Sequence, residues 1–171
     1  MIRCLSVALA MLAVLAGCSK QEAHSVPPAH TLTADATGHY CGMLLSEHAG
    51  PKGQILLTGA DMPVWFTSVR DTLTFLALPE EAKTIAAVYV SDMAKAPSWD
   101  KPGDDNWILA GDAVFVVGSD RQGGMGGAEA VPFSTEAAAQ GFVGQHHGRI
   151  VRFDEAAKSV AAATSGSGDS Q

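Results

Sequence analysis

The chain has 171 residues, of which 11 are Lys or Arg and 18 are Asp or Glu, so its formal net charge is −7. An acidic surface argues against nucleic acid or an anionic lipid surface as the partner, because both repel negative charge. The length suits one domain, or two small halves that share a core.

The N-terminus has the pattern of a bacterial lipoprotein signal. Arg3 precedes an apolar run at residues 5–16, and the run leads into Leu-Ala-Gly-Cys at residues 15–18. The pattern predicts that residues 1–17 are removed as a signal peptide and that Cys18 is acylated. The apolar run is too short for the roughly 20 residues that a membrane-spanning helix needs, so the lipid alone is expected to anchor the protein. Ser19 favours the periplasmic face of the outer membrane.

The first part of the remaining chain predicts a tether followed by strands and a helix. Residues 18–36 are polar and include Pro27-Pro28, which is typical of a flexible tether. Strands are predicted over residues 54–58, 64–66 and 85–90, with a helix between the last two that ends near Leu78. Ser68 is the expected N-cap of this helix, and Asp71 resembles the acidic member of a capping box.

The second part repeats this arrangement after a loop at residues 96–106 that contains two prolines. Strands are predicted within residues 107–117 and over 128–133, followed by a helix over 136–146 and a last strand over 149–153. Ser134-Thr135 is the expected cap of the helix. Residues 158–171 are rich in Ala, Thr, Ser and Gly, and they predict a disordered tail.

A weak internal repeat relates the two parts. The sequence Val-x-Phe-Thr-Ser at residues 64–68 recurs as Val-x-Phe-Ser-Thr at residues 131–135. In each copy a strand ends in Phe and a hydroxyl side chain begins a helix. We therefore predict an α+β fold of two ββαβ halves with mostly antiparallel sheets, over residues 37–95 and 107–157. Each helix is expected to pack on its own sheet.

Cys41-Gly42-Met43 is the strongest candidate for chemistry. Removal of the signal peptide takes Cys4 with it, and acylation consumes Cys18, so Cys41 is the expected free thiol. On an extended strand, residues two apart point to the same face, which would place a thiolate beside a thioether. Soft sulfur ligands select Cu(I). The alternative interpretation is a small buried cysteine beside a core methionine.

The residues alone leave the identity of a third ligand open. His39 and His48 lie near the Cys-x-Met sequence, and a ring nitrogen from either would complete a trigonal site. Residues 123–127, Gly-Gly-Met-Gly-Gly, form a loop that either displays Met125 or tucks it into the core. His146, at the predicted end of the second helix, suits the helix dipole and needs no metal to explain it.

These motifs together resemble the NosL family of nitrous oxide reductase accessory lipoproteins. The resemblance runs from about residue 38 to residue 154. Besides the lipoprotein signal, the matching features are Cys41-Gly42-Met43, His48-x-Gly50-Pro51-x-x-Gln54, Phe66-x-Ser68-x-Arg70-Asp71, Tyr89-Val90-x-Asp92, Trp107-Ile108-x-Ala110, Met125-Gly126, Pro132-Phe133 and Phe142.

The resemblance implies a periplasmic Cu(I)-binding lipoprotein that delivers copper for the copper–sulfide centre of nitrous oxide reductase. It implies that nitrous oxide reductase and other copper-trafficking proteins are the partners. It also implies two ββαβ halves related to the C-terminal part of organomercurial lyase. The family's Cys and Met ligands fall on Cys41 and Met43, and His48 is our choice for the third.

The alternative function is a cysteine-dependent enzyme with the organomercurial-lyase-like fold, in which Cys41 is the nucleophile and His39 or His48 its base. Organomercurial cleavage resembles chemistry that uses more than one thiol, whereas one is expected here. Walker, Cys-x-x-Cys, His-Glu-x-x-His and nucleophile-elbow motifs are absent from the sequence. We therefore predict a metallochaperone and not an enzyme.

Overall fold

The computed structural model describes residues 26–81 and 84–166, with side chains to residue 163. The predicted signal peptide and Cys18 lie outside the described residues. Within the described part of the chain, no helix has the length and apolar character to cross a membrane.

The first half is a four-stranded antiparallel sheet with one helix. Its elements are β1 (Gly53–Leu57), β2 (Val64–Phe66), α1 (Val69–Ala77), β3 (Ile85–Ser91) and β4 (Trp107–Leu109), and the strand order is β2-β1-β3-β4. In the register of β1 with β2, Gln54 lies opposite Trp65. The first three strands and α1 form the predicted ββαβ unit.

The second half repeats this unit. Its elements are β5 (Val114–Val117), β6 (Val131–Phe133), α2 (Glu136–His146) and β7 (Arg149–Arg152), and the strand order is β6-β5-β7. Each half therefore has its first strand in the centre, between its second and third. Phe66 and Phe133 each end the second strand and pair with the first, opposite Gly53 and Val114. The prediction of two ββαβ halves is confirmed.

The predicted helix caps are also present. The Ser68 hydroxyl accepts a hydrogen bond from the Asp71 amide at 3.0 Å, and the Thr135 hydroxyl accepts one from the Ala138 amide at 3.3 Å. Each cap satisfies one of the amides that have no partner inside the first turn of a helix. The strand-to-helix junction at residues 66–69 is thereby fixed, and it is this junction that the candidate site borders.

The boundary between the halves differs from the prediction. Residues 107–109 were expected to begin the second half, but as β4 they pair with β3, with Tyr89 opposite Leu109. The pairing provides hydrogen-bond partners for the outer edge of β3, which would otherwise be unpaired. The second ββαβ unit therefore begins at β5.

The predicted disordered tail is wrong over residues 158–166. The chain continues from β7 into a helix, α3 (Phe153–Gly166). Ala156 and Val160, one helical turn apart, are buried in a core that also contains Leu73 of α1 and Phe115 of β5. The two halves thus share one core, and α1 packs on α3 as well as on its own sheet.

The predicted flexible tether is wrong over residues 27–36. The buried side-chain amide of Gln54 accepts from the His30 amide at 2.8 Å and donates to the His30 carbonyl at 2.9 Å. Leu32 packs against the buried cluster of Ala36, Leu45 and Trp65. Because a buried amide side chain needs both a donor and an acceptor, this segment belongs to the folded domain.

Candidate metal site

Cys41 and Met43 lie in a tight turn, residues 38–43, which we call the Cys41 turn. The Gly38 amide donates to the Met43 carbonyl at 2.9 Å, and the Gly42 amide donates to the Gly38 carbonyl at 2.8 Å. Gly42 has φ +66°, a conformation that favours glycine. The expectation that the two sulfur residues share one face of a strand is therefore wrong. Both sulfur atoms instead come from one turn.

The two side chains of this turn differ in exposure. Cys41 is half-buried, with its Sγ 3.9 Å from the Thr67 hydroxyl oxygen, and it carries a free thiol. Gly38 leaves room for the thiol, since a Cβ there would lie 2.7 Å from Sγ. The Met43 side chain is 40% exposed. A thiol and a thioether are thus offered at the surface from neighbouring positions.

His48 follows a short 3-10 helix, Leu45–Glu47. Its Nδ1 lies 2.9 Å from the Gly124 carbonyl oxygen. A carbonyl can only accept, so Nδ1 carries the proton and Nε2 of the neutral ring is left with a lone pair. That Nε2 is buried and has no hydrogen-bond partner among the residues that the structure describes. A ring fixed in this way, with one nitrogen donating to a backbone carbonyl, is the usual arrangement of a metal-binding histidine.

A buried lysine fixes the backbone around His48. The Lys52 ammonium donates to three successive carbonyls, those of His48, Ala49 and Gly50, at 2.6, 3.2 and 2.7 Å. All three of its protons are therefore used. Burial lowers the pKa of Lys52 to about 8, although the negative charge of Glu129 acts in the opposite direction.

The glycine loop, residues 123–127, lies against the same region. A Cβ on Gly124 would lie 2.6 Å from the Cβ of His48 and 3.1 Å from the Thr67 carbonyl oxygen. Only glycine allows this close approach. Met125 at its tip is 50% exposed. The Cys41 turn and the glycine loop, one from each half of the sequence, therefore both border Thr67.

The other histidines considered have different surroundings. The His39 ring packs edge-on against Phe66 and Phe75, and its Nε2 lies 3.5 Å from a Glu81 carboxylate oxygen. His146 lies in the last turn of α2, with its Nδ1 2.9 Å from Asp120. Among the described residues, no group of three or more His, Cys, Asp or Glu could hold a metal ion. Within the described residues, a centre of three ligands at Cys41 would therefore include a ligand of another type, such as the Met43 thioether.

Sequence reasoning missed Thr67, Lys52 and Glu129 at this site. Glu129 is 2% exposed, and burial raises its pKa to about 8. Its sequence context carried a signal, because it is the one charged residue in the run of small and apolar residues 128–133, which leads into β6. Nothing local marked Lys52, whose partners are backbone carbonyls.

Comparison with known proteins identifies the family. The NosL family model matches residues 28–161, which is most of the chain. The chain belongs to the NosL family. The match begins before the Cys41 turn and ends within α3, so it includes the site and the whole shared core.

Named relatives also match most of the chain. The copper-binding lipoprotein NosL of Achromobacter cycloclastes is 46% identical over 143 residues, which are 83% of this chain and 74% of that protein. The protein of the same name from Stutzerimonas stutzeri is 35% identical over 143 residues, 82% of this chain and 73% of that one. Neither name describes an enzyme, and the prediction that this NosL-family chain is not an enzyme is confirmed.

A solved structure agrees with the fold. The crystal structure of the copper chaperone NosL from Shewanella denitrificans is 40% identical in sequence and aligns with a TM-score of 0.70. The alignment covers 75% of this chain and 96% of that chain. The arrangement of three helices and two antiparallel sheets in the described residues is thus one found in the NosL family.

Proposed function

We propose that the protein is a Cu(I) carrier in which Cys41, Met43 and His48 bind the ion. The observation that carries the proposal is the Cys41 turn, which holds a free thiol and an exposed thioether within three residues. The buried lone pair on His48 Nε2 supports the third ligand, because no residue in the described part of the chain forms a hydrogen bond with it. The names of the relatives, copper-binding lipoprotein and copper chaperone, support copper as the metal.

The donor set suits the monovalent ion. The Cys41 thiolate is the anionic ligand, and binding through it releases a proton. Thioether and imidazole complete a neutral site with soft character, which favours Cu(I) over harder ions. A site of three ligands beside the surface accepts a ligand from a client before losing one of its own, so transfer needs no free copper ion.

Family membership and the sequence support a proposal for the client and the location. We infer delivery of copper for the copper–sulfide centre of nitrous oxide reductase, in denitrification. Acylation of Cys18 would hold the protein in the periplasm on the outer membrane. The folded segment from Pro27 onwards would leave a short connection to the lipid.

A Cu(I) titration tests the ligand assignment. The chain without residues 1–17 and with Cys18→Ser is titrated anaerobically against a competing Cu(I) chelator, and mass spectrometry counts the bound ions. We expect one ion per chain and loss of tight binding in Cys41→Ser, because the hydroxyl is a poor ligand for a soft ion.

His146→Ala is the control for this titration, since His146 lies with Asp120 in the last turn of α2. Its affinity is expected to equal that of the parent chain. Undiminished affinity in Cys41→Ser would overturn the assignment. A large loss of Cu(I) affinity in His146→Ala would mean that His146, and not His48, is the third ligand.

A further inference from the structure

Glu129 is a buried carboxyl that the proposed ligand set does not use. It lies between the glycine loop and β6, and it is 2% exposed. Burying a carboxyl costs free energy that an apolar side chain of similar size would not cost. Its raised pKa, about 8, reflects that cost. The contacts of the two carboxyl oxygens therefore indicate the role of Glu129.

One carboxyl oxygen holds the start of α1. Glu129 Oε1 accepts from the Arg70 amide at 2.8 Å and from the Ala130 amide at 2.9 Å. Arg70 is in the first turn of α1, where amides have no partner within the helix. Thr67, immediately before the cap of this helix, is the residue that the Cys41 thiol contacts.

The other carboxyl oxygen lies under the glycine loop. Glu129 Oε2 is buried, has no hydrogen-bond partner within residues 26–81 and 84–166, and would overlap a Cβ placed on Gly123. The next residue, Gly124, provides the carbonyl to which His48 donates. The same carboxyl thus contacts the segment beside Cys41 and the loop that orients His48.

We propose that Glu129 is a positioning residue of the metal site. It fixes the Thr67 segment and the glycine loop relative to each other, so that Cys41 and His48 can bind the same ion. This inference rests on the proposed function. Glu129 acts through Arg70 on the thiol side and through Gly124 on the imidazole side. It does not itself contact the metal.

The test compares the Cu(I) affinities of Glu129→Ala and Glu129→Gln by chelator competition. Removal of the side chain is expected to lower affinity at least about tenfold, the usual scale for residues that orient metal ligands. Glutamine keeps an acceptor for the Arg70 amide and fills the same space. It is therefore expected to retain affinity within a few-fold.

A second readout follows His48 directly. Nitrogen chemical shifts of the metal-free protein report which ring nitrogen carries the proton. We expect the parent chain and Glu129→Gln to show the Nδ1-protonated ring. Glu129→Ala is expected to show a mixture, because the Gly124 carbonyl is no longer held in place.

Asp92→Ala is the matched control. Asp92 is fully buried and its Oδ1 also accepts two backbone amides, those of Ala94 and Ser134, but none of its hydrogen bonds reaches the Cys41 turn, His48 or the glycine loop. We expect it to lower the melting temperature without changing Cu(I) affinity. An equal loss of affinity in both alanine variants, or none in Glu129→Ala, would overturn the positioning role.

Gly123→Ala tests the same contact if Glu129→Ala fails to fold. The added Cβ would push the loop away from the carboxyl, so a loss of affinity of about tenfold is expected. Gly111→Ala, where a Cβ meets nothing within 4 Å, is its control. Normal affinity in Gly123→Ala would contradict the inference. Retained binding in Cys41→Ser would instead refute the proposed function on which it rests.

Discussion

Met43 offers a neutral ligand at the surface. Its contribution to Cu(I) affinity can be separated from that of other exposed methionines. We expect Met43→Ala to weaken Cu(I) binding about tenfold, on the scale of about 1.4 kcal/mol for the loss of one soft contact. The loss should be smaller than that in Cys41→Ser, because the thiolate supplies the charge. Chelator competition measures both.

Met62→Ala is the control for this substitution. Met62 is 64% exposed in the connection between β1 and β2, and it belongs to no proposed ligand set. Its affinity is expected to match that of the parent chain. Similar losses in the two variants would mean that exposed thioethers bind copper without a defined site.

At the level of single residues, the sequence indicated candidate ligands but not the geometry in which the structure presents them. Cys41 and Met43 are predicted as a soft sulfur pair on one strand face, yet they lie in a turn around Gly42, whose φ is +66°. The positive φ could not be foreseen without knowing that residues 37 and 44 pair across the turn. The partner of His48 is 76 residues away in sequence, so no local pattern predicted it.

At the level of elements, α3 ties the two halves together, and its contribution to stability can be measured. Val160→Ala removes two methyl groups from a side chain that is 7% exposed in the shared core. We expect the free energy of unfolding to fall by about 2 kcal/mol, from lost burial and the cavity left behind. Urea denaturation followed by circular dichroism gives this value.

Lys158→Ala is the matched control on the exposed face of the same helix, and it is expected to change stability by less than about 0.5 kcal/mol. Equal stability of Val160→Ala and the parent chain would show that α3 contributes nothing to the core. Cu(I) affinity should remain unchanged in both variants, since α3 provides none of the proposed ligands.

The same helix shows why some elements were predicted and others not. The two ββαβ units have β-branched strands and hydroxyl caps, which are local signals, and both caps form as expected. The sequence of α3 is rich in Ala, Ser and Thr, a composition shared with disordered tails. Its apolar spacing, Phe153, Ala156, Ala157 and Val160, was the overlooked signal. The partner of β4 depends on which sheet edge is open, and that is set only by the assembled fold.

At the level of the whole molecule, two buried groups of opposite charge give the fold an unusual dependence on pH. Glu129 has a pKa raised from 4.5 to about 8, and Lys52 has one lowered from 10.5 to about 8, in both cases mainly by burial. The residues come from different halves of the sequence, and each holds backbone groups near the site. Their titration therefore reports on the assembled core rather than on one element.

The two shifts act on stability in opposite directions. Between pH 4.5 and 8 the folded chain keeps a proton on Glu129 that the unfolded chain loses, so stability falls as the pH rises. Between pH 8 and 10.5 the unfolded chain keeps a proton on Lys52 that the folded chain loses, so stability rises again. We expect a minimum in the free energy of unfolding near pH 8, measured by urea denaturation of the metal-free protein between pH 5 and 10.

Single substitutions separate the two limbs of this curve. Glu129→Gln should remove the fall between pH 5 and 8, because the amide does not titrate, and should leave the rise above pH 8. Lys52→Met should lower stability overall and remove the rise, because the ammonium is gone. A parent chain whose stability increases steadily through pH 8 would show that one or both groups reach solvent. In that case the contacts of Lys52 with the His48 carbonyl and of Glu129 with the Arg70 amide would not be those of a closed core.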